Sequence, residues 1–139
     1  MTTIAYRDGI IAYDSLVTCN DVAVYSDYDK TRFVDGCRFF ISGALCDYDV
    51  LVDDWFSSTC RGTEGSAIIV DGKSDIYECG YQDGKMWREK LYKNKYIAIG
   101  SGWKFALTAM DCGLSAEDAV KKASERCIYT GGKIRVFKV

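Results

Sequence analysis

The chain opens with MTTIAYRDGIIAYD, residues Met1–Asp14, which carry its clearest structural signal. Two largely apolar segments, Thr2–Tyr6 and Ile10–Asp14, flank the turn triplet Arg7-Asp8-Gly9. An Asp-Gly pair between two such segments is a strong hairpin signal, because glycine accepts the positive φ that a tight turn requires. The sequence therefore predicts an antiparallel hairpin within its first residues.

The rest of the chain predicts further strands and three helices. The predicted strands are Asp21–Tyr28, Cys37–Ser42, Ser66–Val70, Ser74–Tyr81, Lys85–Leu91, Tyr96–Gly100 and Lys133–Val139. The predicted helices are Cys46–Ser57, Trp103–Asp111 and a segment capped by Ser115 that ends near Ile128, with a loop at Arg61–Gly65. Such segregated strands and helices are typical of an α+β fold with helices packed on antiparallel sheets. The number of strands predicts two sheets face to face.

Two residue types are missing from the composition. The sequence has 139 residues, 48% of them apolar, and contains no histidine and no proline. This length predicts one domain over residues 1–139. Without histidine, Ser-His-Asp and Cys-His catalytic pairs and HExxH zinc sites are excluded. Any catalysis must use a carboxylate, a lysine, a thiol, a hydroxyl or the α-amino group.

The charge balance argues against nucleic acid as a partner. The chain carries 18 basic and 20 acidic residues, a net charge of −2, whereas nucleic-acid-binding domains are usually basic. The most basic stretch runs from Lys85 to Lys95. We interpret it as the exposed face of an edge strand, where lysines oppose unwanted pairing. A small anion-binding strip is the alternative.

The seven cysteines show no metal-binding spacing. No two of them form a CxxC pair, and without histidine a zinc site is not expected. We predict reduced, mostly buried thiols in a cytoplasmic protein. The first residues do not resemble a signal peptide, and no apolar stretch is long enough to span a membrane.

Hydrolysis without histidine is possible when an N-terminal threonine is the nucleophile. The α-amino group has a pKa near 8 and can accept the hydroxyl proton itself. Methionine before a small residue is commonly removed, which would expose Thr2 here. Taken singly, Asp14 could be a turn residue, Lys30 a surface charge and Ser101 a helix cap.

In combination, these residues resemble a known family. The segments that carry the resemblance, in order along nearly the whole chain, are MTTI (1–4), the Asp14 to Lys30 spacing, Gly43, IAIGSG (97–102), LSAEDAVKKA (114–123) and CIYTGG (127–132). This pattern resembles the proteasome β-type family, and most closely the bacterial HslV peptidases. The resemblance implies an Ntn-hydrolase fold, a four-layer αββα sandwich of two antiparallel sheets flanked by helices.

The resemblance also implies roles for particular residues. Thr2 would be the nucleophile and its amine the general base, with Asp14 and Lys30 beside it. A nearby lysine cation stabilises an alkoxide and disfavours a protonated amine. Gly43 would offer its N–H to the oxyanion, and Ser101 would hydrogen-bond near the Thr2 amine.

Ligands and partners are likewise implied by the resemblance. Polypeptide substrate would contact a pocket that includes Thr18, Tyr28, Ile41 and Leu45, while backbone carbonyls of Ser124, Cys127 and Thr130 could hold a monovalent or divalent cation. No cofactor is required. The family assembles into rings and works with an unfoldase ATPase, and no stretch of this sequence identifies a docking surface for one.

The sequence departs from the family between its two groups of strands. The family has two long helices there, whereas only Cys46–Ser57 precedes the loop at Arg61–Gly65. A catalytically silent structural or interaction module is therefore the alternative, favoured also if Met1 is retained, since the Thr2 nitrogen would then be an amide. An amidase acting on small amides, with the same nucleophile, is a third hypothesis.

Overall fold

The computed structural model describes residues 2–139, which form eleven strands, three α-helices and one short 3-10 helix. In chain order the elements are β1 (Thr3–Arg7), β2 (Ile10–Tyr13), β3 (Val17–Cys19), β4 (Val22–Tyr25), β5 (Thr31–Val34), β6 (Cys37–Ser42), the 3-10 helix (Leu45–Asp47), α1 (Tyr48–Phe56), β7 (Ser66–Val70), β8 (Ile76–Gln82), β9 (Lys85–Leu91), β10 (Ile97–Gly100), α2 (Trp103–Asp111), α3 (Ala116–Ser124) and β11 (Arg135–Lys138). The predicted α+β class is confirmed.

The chain divides into two compact units. One combines the described residues up to Lys30 with Lys93–Val139, and the other is Thr31–Tyr92. The first unit contains a four-stranded antiparallel sheet in the order β10–β1–β2–β11, together with the two-stranded β3–β4 ribbon. The second unit contains a five-stranded antiparallel sheet in the order β5–β6–β7–β8–β9.

The predicted N-terminal hairpin is confirmed. Strands β1 and β2 pair in antiparallel register, and Asp8 and Gly9 in the turn between them have φ values of 52° and 77°. Two consecutive positive φ values match the twist of a tight hairpin. Strand β1 begins and ends one residue later than predicted, and β2 ends one residue earlier, so that Thr2 and Asp14 lie just beyond the strand ends.

Small side chains let α2 and α3 lie close to the sheet of the first unit. Ala5 and Ala12 of the hairpin belong to one buried cluster with alanines of both helices. The turn between the helices is a Schellman motif, in which Gly113 at φ 96° donates its N–H to the Met110 carbonyl and Leu114 donates to that of Ala109. These contacts fix how the chain enters α3.

The cap predicted at the start of α3 is confirmed, while the predicted end is wrong. The Ser115 hydroxyl accepts the Asp118 N–H at 3.2 Å, and two acids lie in the first turn. The helix ends at Ser124 rather than near Ile128. The last apolar residue of the predicted helix, Ile128, is 70% exposed, so no buried contact holds a further helical turn there.

The second unit confirms the predicted edge strand and the loop. Strand β9 is an outer strand of the five-stranded sheet, and most of its side chains are exposed. Between α1 and β7, residues 57–65 contain neither helix nor strand. The second helix expected from the family resemblance is therefore absent from this part of the chain.

The cysteines are less buried than predicted. All seven are free thiols, but Cys19, Cys46 and Cys112 are exposed, Cys60 is half-buried, and only Cys37, Cys79 and Cys127 are buried. Cys19 is the last residue of β3, Cys46 lies within the short 3-10 helix, and Cys112 directly follows α2. None of the helices in the described residues has the length and apolar character that crossing a bilayer would need.

Candidate functional site

Buried polar side chains concentrate in the first unit. The described chain buries eight polar or charged side chains, and six of them belong to this unit: Thr2, Thr3, Asp14, Ser15, Lys30 and Thr130. Charged groups are almost never fully buried unless they are paired. Such a concentration beside the end of one hairpin marks the candidate functional site.

Asp14 is the centre of this cluster. Its Oδ1 accepts the Lys30 ammonium at 3.0 Å and the Thr3 backbone N–H at 3.1 Å, while its Oδ2 accepts the Gly131 N–H at 3.0 Å. The Asp14 N–H also donates to the Thr3 carbonyl at 3.3 Å. One carboxylate thus connects the start of β1, the segment before β5 and the loop before β11.

Lys30 is a buried partner of Asp14, not a surface charge. The Lys30 side chain is only 2% exposed and that of Asp14 is fully buried. Burial lowers the pKa of Lys30 below the ordinary 10.5, although the Asp14 charge and its hydrogen bond oppose the shift. The ion pair therefore holds a cation in a site that would otherwise disfavour it.

A pair of threonine hydroxyls connects β1 to the loop before β11. Thr3 Oγ1 and Thr130 Oγ1 lie 2.7 Å apart within hydrogen-bond distance, and both residues are buried. Gly102 packs so closely on this pair that an added Cβ would lie 2.2 Å from Thr3 Oγ1 and 2.9 Å from Thr130 Oγ1. Glycine is thus required where the chain enters α2.

The Thr2 hydroxyl differs from every other buried polar group of the described chain. Thr2 is fully buried, and no residue in the described range hydrogen-bonds its Oγ1. Its neighbour Thr3 donates its N–H to Asp14, and Ser101 donates its hydroxyl to the Thr2 carbonyl oxygen at 3.4 Å. Hydrogen bonds therefore fix the backbone on both sides of the Thr2 side chain, whereas its hydroxyl makes none within the described residues.

The structure brings together four of the five predicted catalytic residues within one unit. Thr2, Asp14, Lys30 and Ser101 all belong to the first unit, whereas Gly43 belongs to the second. Gly43 has φ 147°, a conformation that other residues rarely adopt, and an added Cβ would lie 3.3 Å from the Gly65 Cα. Met1 lies outside the described residues.

Ser101 contacts Thr2 through a different atom from the one expected. Its hydroxyl reaches the Thr2 carbonyl, and the Cys127 thiol donates in turn to Ser101 Oγ at 3.7 Å. Ser101 does not cap α2, because the residue at that cap is Gly102 and no side-chain hydrogen bond is made there. Its contacts link the Thr2 backbone to the buried Cys127.

Of the predicted cation ligands, Thr130 belongs to this cluster and Cys127 contacts it through Ser101. The Cys127 carbonyl already accepts the Thr130 N–H at 3.1 Å, and the Ser124 hydroxyl donates to the Lys121 carbonyl. Within the described part of the chain, no three His, Cys, Asp or Glu side chains are grouped as a metal site.

The predicted substrate-binding residues differ in exposure. Thr18, Tyr28 and Leu45 are half-buried, and Tyr28 is held by its N–H, which donates to the Ser15 carbonyl at 3.0 Å. Ile41 is only 1% exposed and lies in the core of its sheet, where its carbonyl accepts the Tyr48 hydroxyl.

The sequence does not predict three of the contacts in this cluster. The Thr3 hydroxyl, the Gly131 N–H and the close approach at Gly102 each depend on residues distant in sequence. Glycines in IAIGSG and CIYTGG were the available signal, since a glycine between structured segments often marks a close backbone approach.

Two solved structures share the fold of this chain. Thiobacillus denitrificans BPH aligns with a TM-score of 0.70 at 19% sequence identity, covering 99% of this chain and 96% of that chain. The same protein in complex with epoxomicin aligns with a TM-score of 0.73 at 19% identity, covering 99% and 97%. No family model and no curated protein matches the chain. The chain is thus similar to BPH in fold across nearly its whole length.

Proposed function

We propose that this chain is a threonine-type endopeptidase of the proteasome and HslV kind, with Thr2 as its nucleophile. The observation that carries the proposal is the buried Thr2 hydroxyl, which has no hydrogen-bond partner among the described residues and adjoins the Asp14–Lys30 pair through Thr3. A buried polar group without a partner costs about 1–3 kcal/mol. A buried group without a partner calls for an explanation, and a catalytic role is the explanation that we propose for Thr2.

The proposed fold is a single domain with a four-layer αββα arrangement, in which the two antiparallel sheets face each other between helices. The similarity to BPH over nearly the whole chain supports one continuous domain. The alanine-rich faces of α2 and α3 on the first sheet support a helical outer layer on that side.

The proposed reaction begins once Met1 is removed. The free α-amino group of Thr2 takes the proton of its own hydroxyl, and Oγ1 attacks the scissile carbonyl. The resulting ammonium gives its proton to the leaving amine as the peptide C–N bond breaks, which leaves an ester on Thr2. Water, deprotonated by the same amine, then hydrolyses the ester and restores the hydroxyl.

The other site residues support this sequence of proton transfers. The Lys30 cation favours an unprotonated amine and a negatively charged Oγ1, and Asp14 keeps that cation buried and oriented. In the proposal, Gly43 offers its backbone N–H to the oxyanion. Ser101 holds the Thr2 backbone by donating its hydroxyl to the Thr2 carbonyl oxygen rather than by contacting the Thr2 amine.

The proposal extends to assembly and partners. We propose a cytoplasmic homo-oligomer that cleaves polypeptides and works with an unfoldase ATPase. Large apolar side chains such as Phe33 and Tyr92 are about two-thirds exposed, which supports burial against other copies of the chain. No cofactor is needed for the chemistry, and a cation at Ser124, Cys127 and Thr130 would serve only to stiffen that loop.

A catalytically silent module with the same fold is the second candidate. It is favoured by one observation, the absence of any helix in residues 57–65 where the resemblance implies a subunit-contacting helix. In that case the buried cluster around Asp14 would serve stability alone. An amidase on small amides would share the nucleophile and differ only in substrate.

Intact-protein mass and a covalent probe test the proposal. We expect protein isolated from its native source to lack one methionine, to cleave fluorogenic peptides, and to acquire one epoxomicin on its N-terminal peptide. Epoxomicin is chosen because it is bound in a structure of BPH. Retained Met1 in native material, or a processed protein that neither cleaves peptides nor reacts, would favour the silent module. Turnover of simple amides without peptides would identify the amidase.

The pH dependence of cleavage should report on Lys30. Because burial lowers the pKa of Lys30 and the reaction needs its cation, we expect kcat/KM to fall at alkaline pH with a midpoint below 10.5. Lys30→Arg should move this alkaline limb upward, since arginine keeps its proton. An alkaline limb at the same pH in both proteins would contradict the assignment.

At alkaline pH, where kcat/KM is expected to fall, the contribution of Lys30 to the stability of the fold should instead rise. Between its lowered pKa and 10.5, the unfolded chain binds more protons at this residue than the folded one. The contribution of Lys30 to the free energy of unfolding therefore rises with pH in that window. Comparing unfolding of the wild type and Lys30→Met across this range separates a loss of activity from a loss of structure.

A further inference from the structure

A second buried carboxylate organises the loop that takes the place of the missing helix. Asp54, on α1, is only 2% exposed. Its Oδ1 accepts the Arg61 N–H at 3.0 Å, and its Oδ2 accepts the Gly62 N–H at 2.7 Å and the Tyr81 hydroxyl at 2.8 Å. The Cys60 thiol donates weakly to the same Oδ2. One side chain thus binds two consecutive amides of the loop.

The fit around Asp54 leaves little freedom at residue 62. A Cβ added to Gly62 would lie 2.4 Å from the Tyr81 hydroxyl and 2.9 Å from Asp54 Oδ2. Burial by itself would raise the pKa of the Asp54 carboxyl, but the hydrogen bonds from Arg61, Gly62, Tyr81 and Cys60 lower it overall. The loop therefore surrounds an ionised carboxylate at neutral pH.

The same loop ends against Gly43. Gly65, its last residue, has φ 109°, and an added Cβ there would contact the Ser42 carbonyl at 3.4 Å. The Gly65 Cα is in turn the atom nearest to where a Cβ of Gly43 would stand, at 3.3 Å. Directly after Gly65, Ser66 pairs with Ser42 in the β6–β7 ladder. The backbone at Gly43 is thus packed against the end of the loop that Asp54 holds.

We infer that Asp54 is a positioning residue for the oxyanion donor: by fixing residues 61 and 62, it sets Gly65 against Gly43 and so orients the Gly43 N–H. This inference rests on the proposed function for the role of Gly43 in the reaction. The coupling from Asp54 to Gly43 rests only on contacts within the second unit.

Asp54→Asn is the variant that tests the inference. An asparagine has the same shape, but in either orientation of its amide one N–H group faces a donor of the loop. Asp53→Asn is the matched control, because Asp53 is the neighbouring acid of α1 and contacts the loop only through an exposed ion pair with the Arg61 side chain, at 2.9 Å. Hydrogen exchange of peptides covering residues 57–65 and 42–45 measures the coupling without any need for activity.

In Asp54→Asn we expect faster exchange in both segments, and in Asp53→Asn exchange like that of the wild type. Cleavage by Asp54→Asn should show kcat reduced about 10- to 100-fold with KM within about twofold, because a displaced oxyanion donor weakens only the transition state. The affinity for a peptide aldehyde, whose adduct with the Thr2 hydroxyl resembles the tetrahedral intermediate, should fall by a similar factor.

Separate outcomes contradict the inference and the proposed function. Exchange that changes in residues 57–65 and not in 42–45 overturns the coupling, whether or not the protein is active. Unchanged kcat in Asp54→Asn, in a protein whose wild type cleaves peptides, overturns the positioning role alone. A processed wild type without any cleavage overturns the proposed function, and the exchange of residues 42–45 then still decides whether Asp54 orients Gly43.

Discussion

Replacing Thr2 with alanine should reduce peptide cleavage by about four orders of magnitude or more and leave the protein at least as stable as before. The loss of activity follows from removing the nucleophile, whose loss in other hydrolases has effects of about this size. The stability expectation follows from the Thr2 hydroxyl, which is buried without a hydrogen-bond partner among the described residues. Removing it eliminates a desolvation penalty of about 1–3 kcal/mol, offset in part by the lost methyl contacts.

Thr3→Ala is the matched control for this experiment. The Thr3 hydroxyl lies 2.7 Å from that of Thr130, so its removal leaves a buried hydroxyl unpaired and should destabilise the protein by about 1–2 kcal/mol. The two substitutions should therefore change the free energy of unfolding differently. Thr2→Ala removes activity without loss of stability, whereas Thr3→Ala lowers stability. Thr2→Ser, which keeps a hydroxyl, should retain part of the activity.

Peptide kinetics and urea unfolding of the three variants measure both effects. Thr2→Ala with cleavage close to that of the wild type would remove Thr2 from the mechanism. Thr2→Ala that is less stable than Thr3→Ala would mean that the Thr2 hydroxyl makes a contact important for folding, and that it is not held available for chemistry.

The strands and helices could be predicted from the sequence where the signal is local. The Asp8-Gly9 turn, the Ser115 cap and Gly113 at the end of α2 each depend on residues within one turn of chain, and each was found where it was predicted. Strand β5 was not predicted, because the half-exposed segment Thr31–Val34 has no alternating apolar pattern of its own and pairs along β6.

The site could be predicted only as a set of residues, without its contacts. The order of Thr2, Asp14, Lys30 and Ser101 in the family-like pattern identified the participants. That Ser101 contacts the Thr2 carbonyl, or that Gly131 donates to Asp14, depends on how distant segments meet in the folded chain. Asp54 gave no signal at all, since an acid on a short helix is usually exposed and the partners of its carboxylate lie up to 27 positions away.

The buried pair of Lys30 and Asp14 should dominate the stability of the first unit. Lys30→Met leaves the Asp14 carboxylate buried without its cation, and we expect the free energy of unfolding to fall by about 3–5 kcal/mol. Asp14→Ala should cost at least as much, because the backbone N–H groups of Thr3 and Gly131 lose their acceptor together with the lysine. Urea unfolding at neutral pH measures these differences.

Lys121→Met is the control for the loss of a lysine from an ion pair. Lys121 pairs with Glu117 on α3 at 3.1 Å, but both side chains are about half-exposed, so its loss should cost less than about 1 kcal/mol. If Lys30→Met and Lys121→Met were equally stable, the Asp14–Lys30 pair would not dominate the stability of the first unit.

Removing both charges separates the structural role of the pair from its chemical role. The double variant Asp14→Asn with Lys30→Met buries no unpaired charge, so it should regain part of the stability that Lys30→Met loses. Its peptidase activity should nevertheless remain at least about 100-fold below that of the wild type, because no cation favours the unprotonated Thr2 amine or the negative charge on Oγ1. A double variant that recovers activity along with stability would show that Lys30 only holds the structure together, and the catalytic role assigned to its charge would be wrong.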